Sequence, residues 1–211
     1  MYTPEAFSMH DAATLRDFMR EYPFATLVTA TPEGPQVSHL PLEWSAGADG
    51  APDRLLGHFA RGNPHWRHFD ASPPSLAIFH GPHDYISPTW YESDSLVPTW
   101  NYAAVHATGQ PKLIDDPAET RAVLDQLVDR FERDQPNPWV NRLEPTFLTR
   151  LQEAIVAFSL PIERLEGKFK LGQNRTEEDQ QASLAGLTEA SGDAPGSLAA
   201  FTRDALERGG R

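Results

Sequence analysis

The stretch VPTWNYAAVHATG, residues 97–109, leads into TWNYAAVHATGQPKLI (99–114), which we predict as one β-strand because its side chains alternate between two faces. One side of such a strand carries Asn101, Ala103, Val105 and Ala107. The other side carries Tyr102, Ala104, His106 and Thr108. The triplet Pro98–Trp100 also repeats the triplet Pro88–Trp90, so the segment is either a structural hairpin or the wall of a ligand site.

Further short strands with turn residues between them surround this segment in the sequence. The predicted strands are FATLVTAT (24–31), QVSHLPLEW (36–44), RLLGHFA (54–60), PSLAIFHGP (74–82) and DYISPTWY (84–91). Gly81 and Pro82 are expected to end the fourth of them. In 36–44 we expect Leu40, Leu42 and Trp44 to share one face, opposite His39, Pro41 and Glu43. A late strand is predicted over 156–171.

Helical periodicity appears at the N-terminus and again after the strands. The predicted helices are 11–21 with Asp11 as cap, 63–70, 118–135 with a stripe of Leu124, Leu127, Val128 and Phe131, and 144–155. Closely spaced antiparallel strands and a late closing strand indicate a small barrel of the α+β class, mainly β with helices. We therefore predict one domain over 1–187 with a helical insertion at about 117–155, followed by a polar tail over 188–211.

Charge and composition limit the classes of function. The net charge is −12, from 18 Lys+Arg against 30 Asp+Glu, so direct DNA binding is disfavoured. There is no cysteine, which excludes disulfides and thiolate metal sites. The N-terminus does not resemble a signal peptide, and no apolar run approaches the roughly 20 residues of a membrane span. A cytoplasmic protein with no membrane association is expected.

Two stretches could bind an anion. In GHFARGNPHWR (57–67) a strand ends at Arg61 and a helix starts near Asn63, which suits a phosphate, although the stretch alone favours a capped helix with solvated Arg61 and Arg67. In GKFKLGQNR (167–175) Lys168 and Lys170 lie on one strand face, and polar donors follow them. A polar strand end explains this second pattern equally well.

The other histidines do not form a recognised site. His39 is typical of a hydrogen-bonded structural histidine. His65 and His68 lie at i,i+3, but zinc needs three or four converging ligands, so no metal is predicted. Nucleophile-elbow, dinucleotide-binding and phosphate-loop motifs are absent from the sequence, and the sequence identifies no catalytic residue.

Seven motifs together resemble the PaiB-like family, known as FMN-binding negative transcriptional regulators or protease synthase and sporulation regulators. In chain order they are MYTPEAF, ATLVT, SHLPL, GHFARGNPHWR, AIFHGPHDYISPTWY, VPTWNYAAVHATG and GKFKLGQNR. The resemblance covers roughly residues 1–187. It implies an FMN-binding split β-barrel that forms a homodimer with flavin sites at the subunit interface.

The resemblance also suggests which residues bind FMN, a molecule with a dianionic phosphate, a ribityl chain and an apolar ring system. Phosphate or ribityl candidates are His58, Arg61 and Asn63. Candidates for the ring walls and their hydrogen bonds are Trp100, Asn101, Tyr102 and His106, and Trp90 is expected to be mainly structural. Lys168, Lys170, Gln173 and Arg175 are expected to approach from the late strand.

This chain departs from the family pattern at two places. The loop 93–97 is short, with Asp94-Ser95-Leu96 where family members usually have a longer segment ending near a cation. Gly172 replaces a serine that relatives often have, which removes a hydroxyl donor.

Three functions remain open on these grounds. The first is an FMN-binding negative regulator that acts indirectly through a protein partner. The second is an FMN-dependent oxidoreductase, of the flavin-reductase or pyridoxamine-oxidase kind, in which His106 or Tyr102 could move protons. The third is a haem-binding relative of the same barrel class.

Overall fold

The computed structural model describes residues 1–48, 50–70, 73–94, 96–141 and 143–209. The strands within these ranges are β1 (Ser8–Met9), β2 (Phe24–Thr31), β3 (Gly34–Pro41), β4 (Glu43–Ser45), β5 (Arg54–Ala60), β6 (Ser75–Ile86), β7 (Thr99–Gly109), β8 (Lys112–Ile114), β9 (Ile155–Pro161) and β10 (Arg164–Lys170). The α-helices are α1 (Ala12–Glu21), α2 (Pro117–Glu132), α3 (Pro145–Glu153), α4 (Glu177–Ser191) and α5 (Leu198–Gly209). Short 3-10 helices occupy Glu5–Phe7, Pro64–His68 and Pro88–Trp90.

The chain divides into two compact units, each built from separate segments. Unit 1 comprises Met1–Phe18, His80–Val105 and Glu166–Arg211, and unit 2 comprises Met19–Phe79 and His106–Leu165. Both β6 and β7 contribute residues to each unit. The single domain over 1–187 stays a prediction.

In unit 1 the strands lie in the order β1, β10, β7, β6, and β1 pairs antiparallel with β10 so that Ser8 lies opposite Lys168. An aromatic core holds the helices of this unit on the sheet. The Phe18 ring lies 5.2 Å from Phe169 and 6.0 Å from Phe201, and the last two rings meet edge to face at 5.3 Å. These contacts are typical of favourable aromatic packing.

The C-terminal residues take part in that core. The sequence predicts a polar tail over 188–211, but α5 buries Leu198 and Ala199 and contributes Phe201 to the aromatic cluster. Helices α4 and α5 also pack on each other. The described part of the tail is therefore a packed helix whose polar residues cover its outer side.

In unit 2, β2 and β3 form a hairpin with registered pairs from Phe24↔Pro41 to Thr31↔Gly34, and the start of β6 pairs with β2. A second sheet has the order β4, β5, β9, β8. The stacked rings of Phe59 and Phe158 lie 5.0 Å apart in its core. Helices α2 and α3 connect β8 to its antiparallel neighbour β9, which confirms the inserted helical pair.

Strand β6 is longer than predicted, because Gly81 and Pro82 do not end it. A Cβ built on Gly81 would lie 2.6 Å from the Phe18 ring, so the glycine allows close packing and does not form a turn. The registered pairs of β6 with β2 end at Ile78, so Pro82 lies beyond that ladder, where its missing N–H interrupts no bond to β2. Residues 84–91 are not a separate strand: they complete β6 and then form the 3-10 helix Pro88–Trp90.

The late strand predicted over 156–171 is two strands in two different sheets. Strand β9 ends at Pro161, and the Ile162 and Glu163 amides then donate to the carbonyls of Asp53 and Thr108. These two bonds redirect the chain before β10 begins. A continuous alternation of apolar residues concealed this turn.

Two predicted faces are also wrong. The alternation over 36–44 breaks at Leu42, between β3 and β4, and Glu43 is buried. On α2 the buried residues include Val123 and Leu127, whereas Val128 and Phe131 are exposed. Both deviations arise because packing partners, and not period alone, decide which side of an element is covered.

Candidate functional site

Seven of the eleven predicted site residues belong to unit 1, and two of them are the lysines of β10. Lys168 is 9% exposed, and its Nζ donates to the Tyr2 carbonyl at 3.1 Å and lies 5.2 Å from the Tyr102 ring centroid. Lys170 Nζ donates to the Trp100 carbonyl at 2.8 Å and to Thr99 Oγ1. Strand alternation therefore brings both ammonium groups to the start of β7.

The electrostatics of this cluster favour an anion. Burial lowers the pKa of the Lys170 ammonium, and the positive charges of Lys168 and Arg175 lower it further. Three cations that repel one another in a partly desolvated place gain stability when a negatively charged group enters. The donor set of Lys168, Lys170 and Arg175, called the cation cluster below, fits the phosphate of a mononucleotide.

The turn after β10 explains the departure at Gly172. Its φ is +93°, in the left-handed region where a serine would be strained. Gln173 closes the same turn, since its Oε1 accepts from the Leu171 amide at 2.8 Å and its Nε2 donates to the Phe169 carbonyl at 2.5 Å. Gln173 is thus engaged with its own backbone, although the sequence suggests it as a ligand-binding residue.

The two tryptophans of the repeated triplet occupy different environments in unit 1. Trp100 is 55% exposed, and its ring meets Tyr85 edge to face at 6.2 Å. Trp90 lies against Gly186 of α4, where a Cβ would come within 2.4 Å of Trp90 Cγ. Asn101 is buried and Tyr102 is half-buried on the same strand. An exposed aromatic surface therefore adjoins the cation cluster, and it suits a planar ring system.

Four predicted residues, His58, Arg61, Asn63 and His106, belong to unit 2. Arg61 is engaged in structure: its Nη2 donates to the Ile155 carbonyl at 2.7 Å and its Nε to the Glu153 carbonyl at 2.5 Å. Its guanidinium thus satisfies the last carbonyl of α3 and the first carbonyl of β9. Asn63 caps the 3-10 helix by accepting from the His65 amide at 3.0 Å.

His58 and His106 are the two histidines of this group. Among the described atoms, the buried His58 Nδ1 has no hydrogen-bond partner, and burial lowers the pKa of this imidazole. A buried ring nitrogen without a partner is a place where a ligand donor or acceptor could bind. His106 is half-buried on β7.

A buried polar network surrounds His65, and no sequence motif marks it. This imidazole is 1% exposed, with Nδ1 2.9 Å from Ser38 Oγ and Nε2 2.9 Å from Thr29 Oγ1. Thr29 in turn bonds Ser75, and Asn63 Nδ2 donates to Ser38 Oγ at 3.0 Å. Nothing in the sequence distinguishes His65 from His68, because the partners lie far away along the chain.

The remaining predictions concern metals, membranes and the short loop. Within the described residues, no group of three or more His, Asp or Glu side chains has the arrangement of a metal site. The helices of the described chain include none that is long and apolar enough to cross a membrane. In the loop 93–97, Asp94 is exposed, and Ser95 lies outside the described residues.

Comparison with known proteins identifies the family of this chain. Residues 1–164 match the family model FMN_bind_2, described as "Putative FMN-binding domain". The chain is 34% identical over 210 residues to the Protease synthase and sporulation protein PAI 2 of Bacillus subtilis, covering 99% of both chains. It is also 30% identical to an uncharacterised protein of Aspergillus fumigatus, covering 82% of this chain and 85% of the other.

Solved structures share the fold at low sequence identity. The flavocytochrome Anf3 from Azotobacter vinelandii superposes with a TM-score of 0.62 at 17% identity, covering 83% of this chain and 75% of that one. The FAD and heme binding protein from Mycobacterium smegmatis gives a TM-score of 0.60 at 19% identity, covering 83% and 78%. The fold is a flavin-binding split barrel of mixed α and β structure. The chain thus belongs to the FMN-binding, PaiB-like family, and its cofactor is FMN.

Proposed function

We propose that this protein is an FMN-dependent negative regulator of gene expression that acts in the cytoplasm through a protein partner and not by binding DNA. The observation that carries the proposal is the cation cluster beside the exposed Trp100, which provides for a phosphate and a planar ring together. Similarity to PAI 2 over 99% of both chains supports a role in the same kind of process.

The charge of the chain supports an indirect route. With a net charge of −12, the average field repels a nucleic acid, and tight binding needs a large segregated basic surface. The cation cluster is small, and its lysines are engaged with carbonyl groups of unit 1. A binding site for one phosphate group is consistent with this arrangement, whereas a track along a DNA backbone is not.

FMN supplies electron transfer when it is bound, and the chain's own residues bind and orient it. In this proposal the cation cluster holds the phosphate, and Trp100 and Tyr102 provide aromatic surface. His58 and His106 stay candidates for polar contacts. Arg61, Asn63 and Gln173 contribute through the backbone contacts that they already make.

A homodimer is part of the proposal, and a face of the unit 2 sheet supports it. Phe24 and Val37, which are 67% and 51% exposed, lie on the same side of the β2–β3 hairpin as Val28, because Val28 pairs with Val37. The polar pair Thr26 and His39 separates Phe24 from Val28 and Val37 on this face, and exposed large apolar side chains of this kind are typical of an interface. A second copy of the chain would cover them.

We expect wild-type protein to sediment as a dimer in analytical ultracentrifugation and Val37→Glu to shift it toward monomer. Burying an unpaired carboxylate at an interface opposes association. Thr31→Glu, at the far end of the same strand pair, is the control that adds equal charge. A monomeric wild type at micromolar concentration, or an unchanged Val37→Glu dimer, would contradict the proposed interface.

The regulatory role is tested in the host with a variant that fails to bind FMN. We expect Lys170→Met to release the repressed transcripts as a gene deletion does, while Lys112→Met, an exposed lysine on β8, leaves them repressed. Purified wild-type protein should be yellow and should not bind a mixed-sequence DNA duplex at about 150 mM salt. Tight DNA binding, or unchanged transcripts in the deletion strain, would reject the proposal.

A second candidate is an FMN-dependent oxidoreductase that acts on a small molecule. Tyr102 favours it, because a half-buried phenol on β7, with Lys168 Nζ 5.2 Å from its ring centroid, could move a proton beside a flavin. The flavocytochrome that shares the fold supports it by analogy. Oxidation of NAD(P)H by the FMN-loaded protein, absent from the apoprotein, would favour this candidate over the regulator.

A further inference from the structure

The loop 88–93 of unit 1 is held by helix α4 at several separate points. Asp179, in the first turn of α4 and only 2% exposed, accepts hydrogen bonds at Oδ1 from the Glu92 amide at 3.0 Å and the Ser93 amide at 2.9 Å. Near the other end of the helix, Ser191 Oγ donates to Asp84 Oδ2 at 2.6 Å. The helix thus binds the loop and the strand that leads into it.

The middle of α4 is shaped to receive Trp90. A Cβ at Gly186 would lie within 2.4 Å of Trp90 Cγ and within 2.6 Å of its Cδ2, so the indole packs directly on the helix backbone. Any side chain at Gly186 would push the indole and the loop away. The buried Asp179 carboxylate and Gly186, both on α4, therefore contact the same loop.

The docked loop also touches the cation cluster. The Arg175 guanidinium carbon lies 5.5 Å from the ring centroid of Tyr91, the residue between Trp90 and the two amides held by Asp179. Arg175 directly precedes Thr176, whose Oγ1 accepts from the Asp179 amide at 3.2 Å and caps α4. The side chain of Arg175 is half-buried, and the Tyr91 ring limits its orientations.

We propose that Asp179 is a positioning residue that docks the 88–93 loop on α4 and so holds Arg175, through Tyr91, in the orientation that binds the phosphate of FMN. A preorganised guanidinium binds an anion more tightly than a mobile one, because less side-chain entropy is lost on binding. Docking of the loop and phosphate binding are then thermodynamically coupled, and each favours the other. The proposal rests on the assignment of the cation cluster to the FMN phosphate.

The test compares FMN with riboflavin, which lacks the phosphate. For Asp179→Ala we expect the FMN dissociation constant to rise about 5- to 20-fold, within the range that one immobilised side chain explains, while riboflavin binding changes less than about twofold. Hydrogen exchange at the Glu92 and Ser93 amides should become at least about tenfold faster. Glu178→Ala, an exposed residue of the same helical turn with the same charge change, is the control and should alter neither quantity.

Two further variants separate this role from a general loss of stability. Asp179→Asn keeps an acceptor oxygen for the two amides, so it should retain part of the FMN selectivity. Gly186→Ala leaves Asp179 intact and raises the helix propensity of α4, yet it should also reduce FMN binding relative to riboflavin by displacing Trp90.

The outcomes distinguish a wrong coupling from a wrong site. In one outcome the two amides of Asp179→Ala exchange faster, its FMN binding is unchanged, and Lys170→Met loses FMN. This result overturns the coupling and leaves the assignment of the phosphate site standing. Equal losses of FMN and riboflavin overturn it as well, since they indicate damage to the whole site. If neither Lys170→Met nor Asp179→Ala changes FMN binding, the assignment of the phosphate site is wrong. The proposed coupling is then wrong too, because it depends on that site.

Discussion

Replacing Lys170 with methionine is expected to weaken FMN binding about 10- to 100-fold, because one charge-assisted hydrogen bond contributes about 1.5–3 kcal/mol. The Lys170 ammonium is partly desolvated and lies near Lys168 and Arg175, so the cluster gains most when a phosphate neutralises it. Methionine keeps the length of the side chain and removes the charge. Quenching of FMN fluorescence during titration of the apoprotein measures the dissociation constant.

Two controls test whether the effect is specific: a flavin without a phosphate, and a lysine replaced elsewhere on the surface. Riboflavin, without a phosphate, should bind wild type and Lys170→Met with affinities that differ by less than about threefold. Lys112→Met removes an equal charge from the exposed side of β8 and should bind FMN as wild type does. Equal FMN affinity of Lys170→Met and wild type, with both variants folded by circular dichroism, would show that the phosphate binds elsewhere.

Replacing His65 with alanine is expected to lower the free energy of unfolding by about 2–5 kcal/mol at pH 7.5, from a cavity and from hydroxyls left unpaired. Ser38 and Thr29 are both bonded to the imidazole, and all three side chains are buried. Urea unfolding followed by circular dichroism gives the free energy, with the slope of the transition as a check for two-state behaviour.

The same residue makes stability depend on pH. Burial lowers the pKa of His65 below its usual value, and the charge of His68 lowers it further, so the folded state favours neutral imidazole. The contribution is complete above the unfolded pKa of about 6.5 and declines as pH falls from there toward the lowered folded value. Wild type should therefore exceed His65→Ala by more at pH 7.5 than at pH 5.5.

His68→Ala is the matched control, because His68 lies on the same 3-10 helix and is half-buried. Its effect on unfolding should stay below about 1 kcal/mol, as is usual for a residue outside the core. If His65→Ala were as stable as wild type, the network would contribute nothing to the fold. A difference between wild type and His65→Ala that did not change with pH would contradict the neutral buried imidazole.

Helices and strands with a strong apolar periodicity could be predicted from the sequence. The turns at which the chain changes direction could not. Asp11 precedes α1 and accepts from the Thr14 amide at 2.7 Å, as its place in the sequence predicts. The single strand predicted over 156–171 was wrong, since two amides after Pro161 bond to distant carbonyls. Gly81 is read as a turn signal from sequence, whereas its role comes from the approach of Phe18.

The candidate site shows the same division. Alternation on β10 is enough to place Lys168 and Lys170 on one face. In the structure Lys168 donates to the Tyr2 carbonyl and Lys170 donates to the Trp100 carbonyl. The sequence around Arg61 suits a phosphate site, but it does not reveal that the guanidinium donates to the carbonyls of Glu153 and Ile155. Local chemistry suggests what a side chain can bind, and competition among distant partners decides what it does bind.

Motif order and periodicity are local properties of the chain, and they were enough to predict the family, the cofactor, the mixed α and β class and the inserted helical pair. The buried network around His65 and the packing of the C-terminal helix depend on tertiary contacts, whereas the difference between Trp90 and Trp100 was expected from the sequence and only its contacts come from the structure. Trp90 packs on Gly186, which lies nearly a hundred residues away, and no local pattern records a contact of that separation. Burial and hydrogen bonding depend on which segments of the chain meet in space, and the contacts of Trp90 and Trp100 follow from those meetings.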